Sequence, residues 1–299
     1  DWCPHEHRRE LRGLYVLASF ANHFDIKDHN SMDVYVGKNG EGYLEHYLLD
    51  FGSTFGSAGH GPMRPIMGYA NLMDVRDMAV SILTSGPKEW QWEDAPAPTN
   101  PSVGYYESDI FHPAKWDPVY PIPPFENMTD QDGYWGAKKL LAFRDEHLQA
   151  LVKTGQYHDP AAEAYLLKTM IERRDKIGRH WFGKINPLDY PSLTLTPDSM
   201  ILAFHDLAVE YGLTPGDVTY EYTLRGDGRE LIAPIQINAT RVPLGNDQLQ
   251  ALPALRSNSY ELRIRTRRDN NDWSKPVVFW LYRDPAGKQF SIIGIEHPG

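Results

Sequence analysis

The feature that most limits what this chain can become is a change in apolar periodicity near residue 190. Before it, apolar residues recur at three- and four-residue spacing. "EHRRELRGLYVLASFAN" (Glu6–Asn22) is one such run, with Leu11, Leu14, Tyr15, Ala18 and Ala21 on one face. After Ser192 the chain alternates apolar and polar residues in short runs: "MILAFHDLAV", "VTYEYTLRG", "IAPIQINATRV", "YELRIRTR", "PVVFWLYRD" and "FSIIGIE". Turns such as "RGDGRE" and "RDPAGK" separate them. Side chains alternate across a strand and stack every 3.6 residues on a helix, so the two halves need different architectures. The pattern predicts a division at 1–190 and 191–299, the second part an antiparallel β-sandwich-like domain.

Proline punctuates the first part. Residues 86–125 hold many prolines together with Trp90, Trp92 and Trp116, and "FHPAKWDPVYPIPPF" cannot continue a helix, because proline lacks the amide donor and fixes φ. Its aromatics predict an ordered wrap over a domain surface. Helices are expected at 71–83 and over 129–182, with Thr129 or Asp130 as one N-cap. Asp159 is expected to cap another, with Pro160 at its first position. Gly13 inside the first helix predicts a close helix contact. "MDVYV" and "YLEHYLLD", joined by "GKNGEG", read as a hairpin.

Forty acidic against 30 basic residues give a net charge of −10, which argues against a nucleic-acid partner. No apolar run approaches the ~20 residues that span a bilayer. Cys3 is the sole cysteine, so no internal disulfide or cysteine-based metal site can form. The pair His5 and His7, two residues apart on a helix, points to different faces and does not make a shared metal site. "NMT" at Asn127 and "NAT" at Asn238 are glycosylation sequons, and a bacterial origin would void them.

The chemistry-bearing words are "HFDIKDHN" (His23–Asn30) and "DFG" (Asp50–Gly52). His23-x-Asp25-x-Lys27-x-x-Asn30 followed by a hairpin and Asp50-Phe51-Gly52 resembles the catalytic loop and metal-binding motif of protein kinases. Each residue type suits its place. Asp25 would orient an acceptor hydroxyl and take its proton, and Lys27 would neutralise charge on the transferring phosphoryl group. Asn30 and Asp50 offer hard oxygen ligands to Mg²⁺ bridging the phosphates of ATP. The resemblance implies an α+β chain: a mainly helical kinase-like large lobe with catalytic loop 23–30, followed by the β-sandwich-like domain. A glycine-rich loop, a phosphate-binding strand lysine and an A-P-E motif are absent from the sequence, so ordinary protein-kinase activity is not expected.

A wider similarity accompanies these words. "PHEHRRELRGL", "HYLLDFGSTFGS", "FHPAKWDPVYPIPPFENMTDQDGYWGAKKL" and "RRDKIGRHWFGKINPLD" resemble an uncharacterised bacterial family of hypothetical proteins. That resemblance implies a substantial region ahead of residue 4, and often an export signal, so a periplasmic or cell-surface location is favoured over the cytoplasm. The expectation is a Mg²⁺- and ATP-dependent phosphotransferase of undefined substrate, its lobe completed by an N-terminal region or another chain. The other reading is an inactive kinase-like scaffold, a cell-envelope binding or assembly protein that meets a protein partner through its β-domain.

Overall fold

The computed structural model describes residues 5–38, 40–71, 79–80, 82–83, 92–93, 95, 100–196, 198–214, 216–269, 271–285 and 289–298. The chain divides into two units, Asp1–His180 and Trp181–Gly299. The helix expected at 71–83 and the first part of the proline-rich wrap fall largely outside the described residues.

In the first unit, α1 (Arg9–Ala21) leads through a 3₁₀ turn (Asp28–Asn30) into the hairpin β1 (Ser31–Lys38) and β2 (Glu41–Leu48). Its register sets Lys38 opposite Glu41, and Gly40 takes a φ of 83° that a side chain would resist. After a long irregular stretch come α2 (Pro123–Glu126), α3 (Asp130–Leu141), α4 (Asp145–Lys153) and α5 (Pro160–Lys184), the last running into the second unit. Thr129 caps α3: its Oγ1 accepts from the Asp132 amide at 3.3 Å, and Asp132 Oδ2 accepts from the Thr129 amide at 2.9 Å. Asp132 also takes a fork of two bonds from Arg12 of α1, at 2.6 and 2.9 Å. The two helices meet at paired glycines. A Cβ on Gly136 would stand 2.6 Å from the Gly13 carbonyl oxygen, and one on Gly13 would stand 2.6 Å from the Trp135 ring.

The mainly helical kinase-like lobe followed by a β-sandwich-like domain, expected from the motifs, is overturned at the level of fold class. Among the described residues 30% are helical and 32% strand, the sheets mostly antiparallel and the helices few. The physical reason lies in residues 49–71 and 100–122, where glycine and proline keep the backbone irregular and no helix forms. Those segments are held instead by side chains. Asn22 lies at their centre: its Nδ2 donates to the Met67 carbonyl at 3.1 Å and its Oδ1 accepts from Trp116 Nε1 at 2.7 Å.

The second unit contains two antiparallel sheets, ordered β3-β4-β7 and β10-β9-β8-β5-β6. The strands are β3 (Leu188–Thr196), β4 (Ser199–Asp206), β5 (Val218–Gly226), β6 (Arg229–Ile237), β7 (Arg241–Gly245), β8 (Ser259–Arg268), β9 (Val277–Arg283) and β10 (Phe290–Glu296). Leu188, Met200, Leu202, Phe204, Val242 and Leu244 of the smaller sheet share one core with Tyr220, Tyr222, Leu262, Ile264 and Phe279 of the larger. In β8 the buried Tyr260, Leu262, Ile264 and Thr266 alternate with partly exposed Glu261, Arg263, Arg265 and Arg267, the period-two signature of a half-buried strand. Two runs read as continuous strands are broken. "MILAFHDLAV" stops at Asp206, which caps α6 (Leu207–Glu210) by accepting from the Ala208 and Val209 amides. "IAPIQINATRV" divides into β6 and β7, one in each sheet.

Candidate functional site

The site begins with the end of α1. A helix leaves its last carbonyls without partners, and here each finds a donor from a different part of the first unit. Ala18 O accepts from the His23 amide at 2.8 Å and Ala21 O from the Phe55 amide at 2.8 Å. Ser19 O accepts from Arg173 Nη2 at 2.5 Å, and Phe20 O from the Tyr106 hydroxyl at 2.7 Å. Asn22 closes the helix at φ 48°, a left-handed value that asparagine tolerates. The place where the next loop starts is therefore fixed from four directions.

Phe24 and Ile26 are buried, Phe24 against Met63 and Tyr105. The backbone turns here, the Ile26 amide donating to the His23 carbonyl at 3.3 Å, and Asp25 and Lys27 are left partly exposed beside the buried positions. Lys27 Nζ lies 2.9 and 3.0 Å from the two oxygens of Asp25. That bond, with the charges of Asp25, Tyr120 and Asp50, raises the lysine above its ordinary value. Asn30, buried at the turn, donates from Nδ2 to the Asp25 carbonyl at 3.1 Å, and among the described residues no donor reaches its side-chain oxygen. The Leu49 amide donates to the Asn30 carbonyl at 2.8 Å, so the hairpin returns Asp50 to the loop it left. Asp50 takes a φ of 57°, and its charge bears on Lys27 and on His23.

His23 is buried, stacked on Phe51 with ring centroids 5.3 Å apart at 24°. Burial holds its imidazole below the usual value, against the opposing pull of the Ser53 carbonyl, Asp25 and Asp50. No chain partner reaches His23 Nε2 among the described residues. Asp28 and His29 are exposed and bond chiefly to each other. His5 meets the ring of His46, whereas His7 projects into solvent.

The sequence-derived set of Asp25, Lys27, Asn30 and Asp50 therefore occupies one neighbourhood. No protein-family model and no curated protein sequence matches this chain. Among the described residues no group of three His, Cys, Asp or Glu side chains is placed to hold a metal ion. Asn30 and Asp50 are two hard oxygen donors, the type that Mg²⁺ accepts when water and phosphate oxygens fill its other positions. No helix among the described residues is long and apolar enough to cross a membrane.

Several supporting residues escaped the motif reading. Arg173 is 2% exposed, lies 3.6 Å from the Phe111 ring centroid, and bonds the Glu107 carbonyl at 2.7 Å as well as Ser19. In the sequence it belongs to the charged run "MIERRDKIGRH", which reads as a solvated or partner-facing helix. Tyr120 reaches the site because the Val119 amide donates to the Phe24 carbonyl at 2.8 Å, a pairing across 95 residues. A stretch of prolines and aromatics was the only signal for it.

Proposed function

We propose that residues 23–30 together with Asp50 form a phosphoryl-transfer centre, the reactive part of a Mg²⁺- and ATP-dependent phosphotransferase. The observation that carries this reading is the bond from Asn30 Nδ2 to the Asp25 carbonyl. One contact fixes the residue that would orient the acceptor hydroxyl relative to the residue that would hold the metal. Asp25 accepts the hydroxyl proton, and Lys27, already at its carboxylate, carries positive charge toward the transferring group. Asn30 and Asp50 would hold Mg²⁺, which supplies neutralisation of the phosphate charge. His23, its imidazole held below the usual value by burial, lies beneath the loop and stacks on Phe51. Residues beyond this constellation must supply further contacts to the nucleotide, from an N-terminal region or another chain.

A second reading has its own support. By register Met32, Tyr43 and Tyr47 share one face of the hairpin and are 43–60% exposed, a surface expected of a binding or assembly protein. A thermal-shift titration with ATP, with and without Mg²⁺, separates the two. The phosphotransferase reading expects a Mg²⁺-dependent rise in Tm that is lost in Asp50→Ala. No rise in the wild-type protein, or a rise unchanged in Asp50→Ala, supports the scaffold reading.

A further inference from the structure

A cavity of about 200 Å³ lies between α1 and the hairpin, outside residues 23–30 and Asp50. Among the described residues, Leu11 and Leu14 of α1 and Leu48 of β2 form its apolar wall. Strand register sets Ser31 opposite Leu48 and Asp33 opposite His46, so Asp33 and His46 share the face of Leu48 and reach the same space. His46 Nδ1 lies 2.6 Å from Asp33 Oδ1. An ionised carboxylate only accepts, so the imidazole donates from Nδ1, and its neutral form keeps a lone pair on Nε2. That bond above all holds Asp33 below the usual carboxylate range, with the charges of His46 and His5 acting in the same direction. The His5 ring meets His46 edge-on, centroids 5.3 Å apart, and Glu10 stands exposed at the rim. Asp33, Glu10 and His46 Nε2 therefore offer acceptors alone, beside a wall of leucines. We propose that this cavity binds a small uncharged ring compound carrying a hydroxyl donor, of the phenol class. An apolar cavity of about 150 Å³ admits benzene, so about 200 Å³ takes one ring and a substituent. The ring covers the leucines and the hydroxyl donates to His46 Nε2. A carboxylate ligand would meet Asp33 and Glu10, and an ammonium would leave water for an aliphatic wall.

Leucine-methyl NMR of the full chain tests this, at about pH 8, above the ordinary imidazole value and below that of a phenol. The probes are phenol, anisole, benzylamine and benzoate, titrated without Mg²⁺ or nucleotide. Phenol should shift the methyl signals of Leu11, Leu14 and Leu48. Anisole, the same ring without a donor, should bind about fivefold more weakly, the worth of one hydrogen bond. That comparison is made on the wild-type protein and needs no variant. His46→Phe, at a half-exposed position, keeps a ring and removes the acceptor, and should bring phenol to the anisole level. No shift of these methyls with phenol, equal affinity for anisole, or tighter binding of benzylamine or benzoate overturns the proposal. So does an unchanged phenol affinity in His46→Phe.

Discussion

Asp25, Lys27 and Asn30 could be read from sequence by their motif spacing, and Asp25 and Lys27 are partly exposed beside the buried Phe24 and Ile26. Their anchors could not be read. Asn22 bonds residues 45 and 94 positions away, and nothing in "SFANHF" marks it as more than a helix terminus. Asn22→Ala leaves the Trp116 indole N–H and the Met67 carbonyl without these partners, and should cost about 2–3 kcal/mol in urea denaturation. His23 gives a pH signature. Its folded-state value lies below 6.5, so the unfolded chain binds more protons as pH falls through that range. Stability from this group is complete above about pH 6.5 and declines as pH drops toward the folded value. Urea midpoints between about pH 5 and pH 7.5 should show that slope in the wild-type protein and a smaller one in His23→Gln.

Among the elements, the first helix and its close-contact glycine were legible, because Gly13 is an unfavourable residue that only a near neighbour would justify. The neighbour itself, Gly136, was hidden in "DGYWGAKKL". Gly136→Val should lower stability by about 2 kcal/mol or more, since its Cβ meets the Gly13 carbonyl and Val16; thermal unfolding would record it. Strand limits in the second unit were misread where one side chain redirects the backbone. Asp206, 2% exposed, caps α6, accepts from the Tyr220 hydroxyl at 2.9 Å and pairs with Arg268 at 2.8 Å. Asp206→Ala removes the partner of all three and leaves a half-buried guanidinium. A loss of about 3–5 kcal/mol is expected, measurable by denaturant titration of the purified variant.

For the molecule as a whole, apolar periodicity changes near residue 190, whereas the two compact units divide at His180–Trp181, within α5. The kinase-like lobe was inferred by extending a local motif to an entire fold. Eight residues and a hairpin can set a loop's geometry, but they say nothing about the irregular segments that make up much of the first unit. Locally, Lys27 and Asn30 both bond Asp25, and the Leu49–Asn30 backbone bond brings the start of the Asp50 turn back beside them. Paramagnetic relaxation by Mn²⁺, used in place of Mg²⁺ with ATP, tests that arrangement most directly. Amide signals of residues 25–30 and 49–52 should broaden first, and the effect should vanish in Asp50→Ala and weaken in Asn30→Ala. Broadening centred elsewhere, or unchanged in Asp50→Ala, would contradict the assignment of a phosphoryl-transfer centre here.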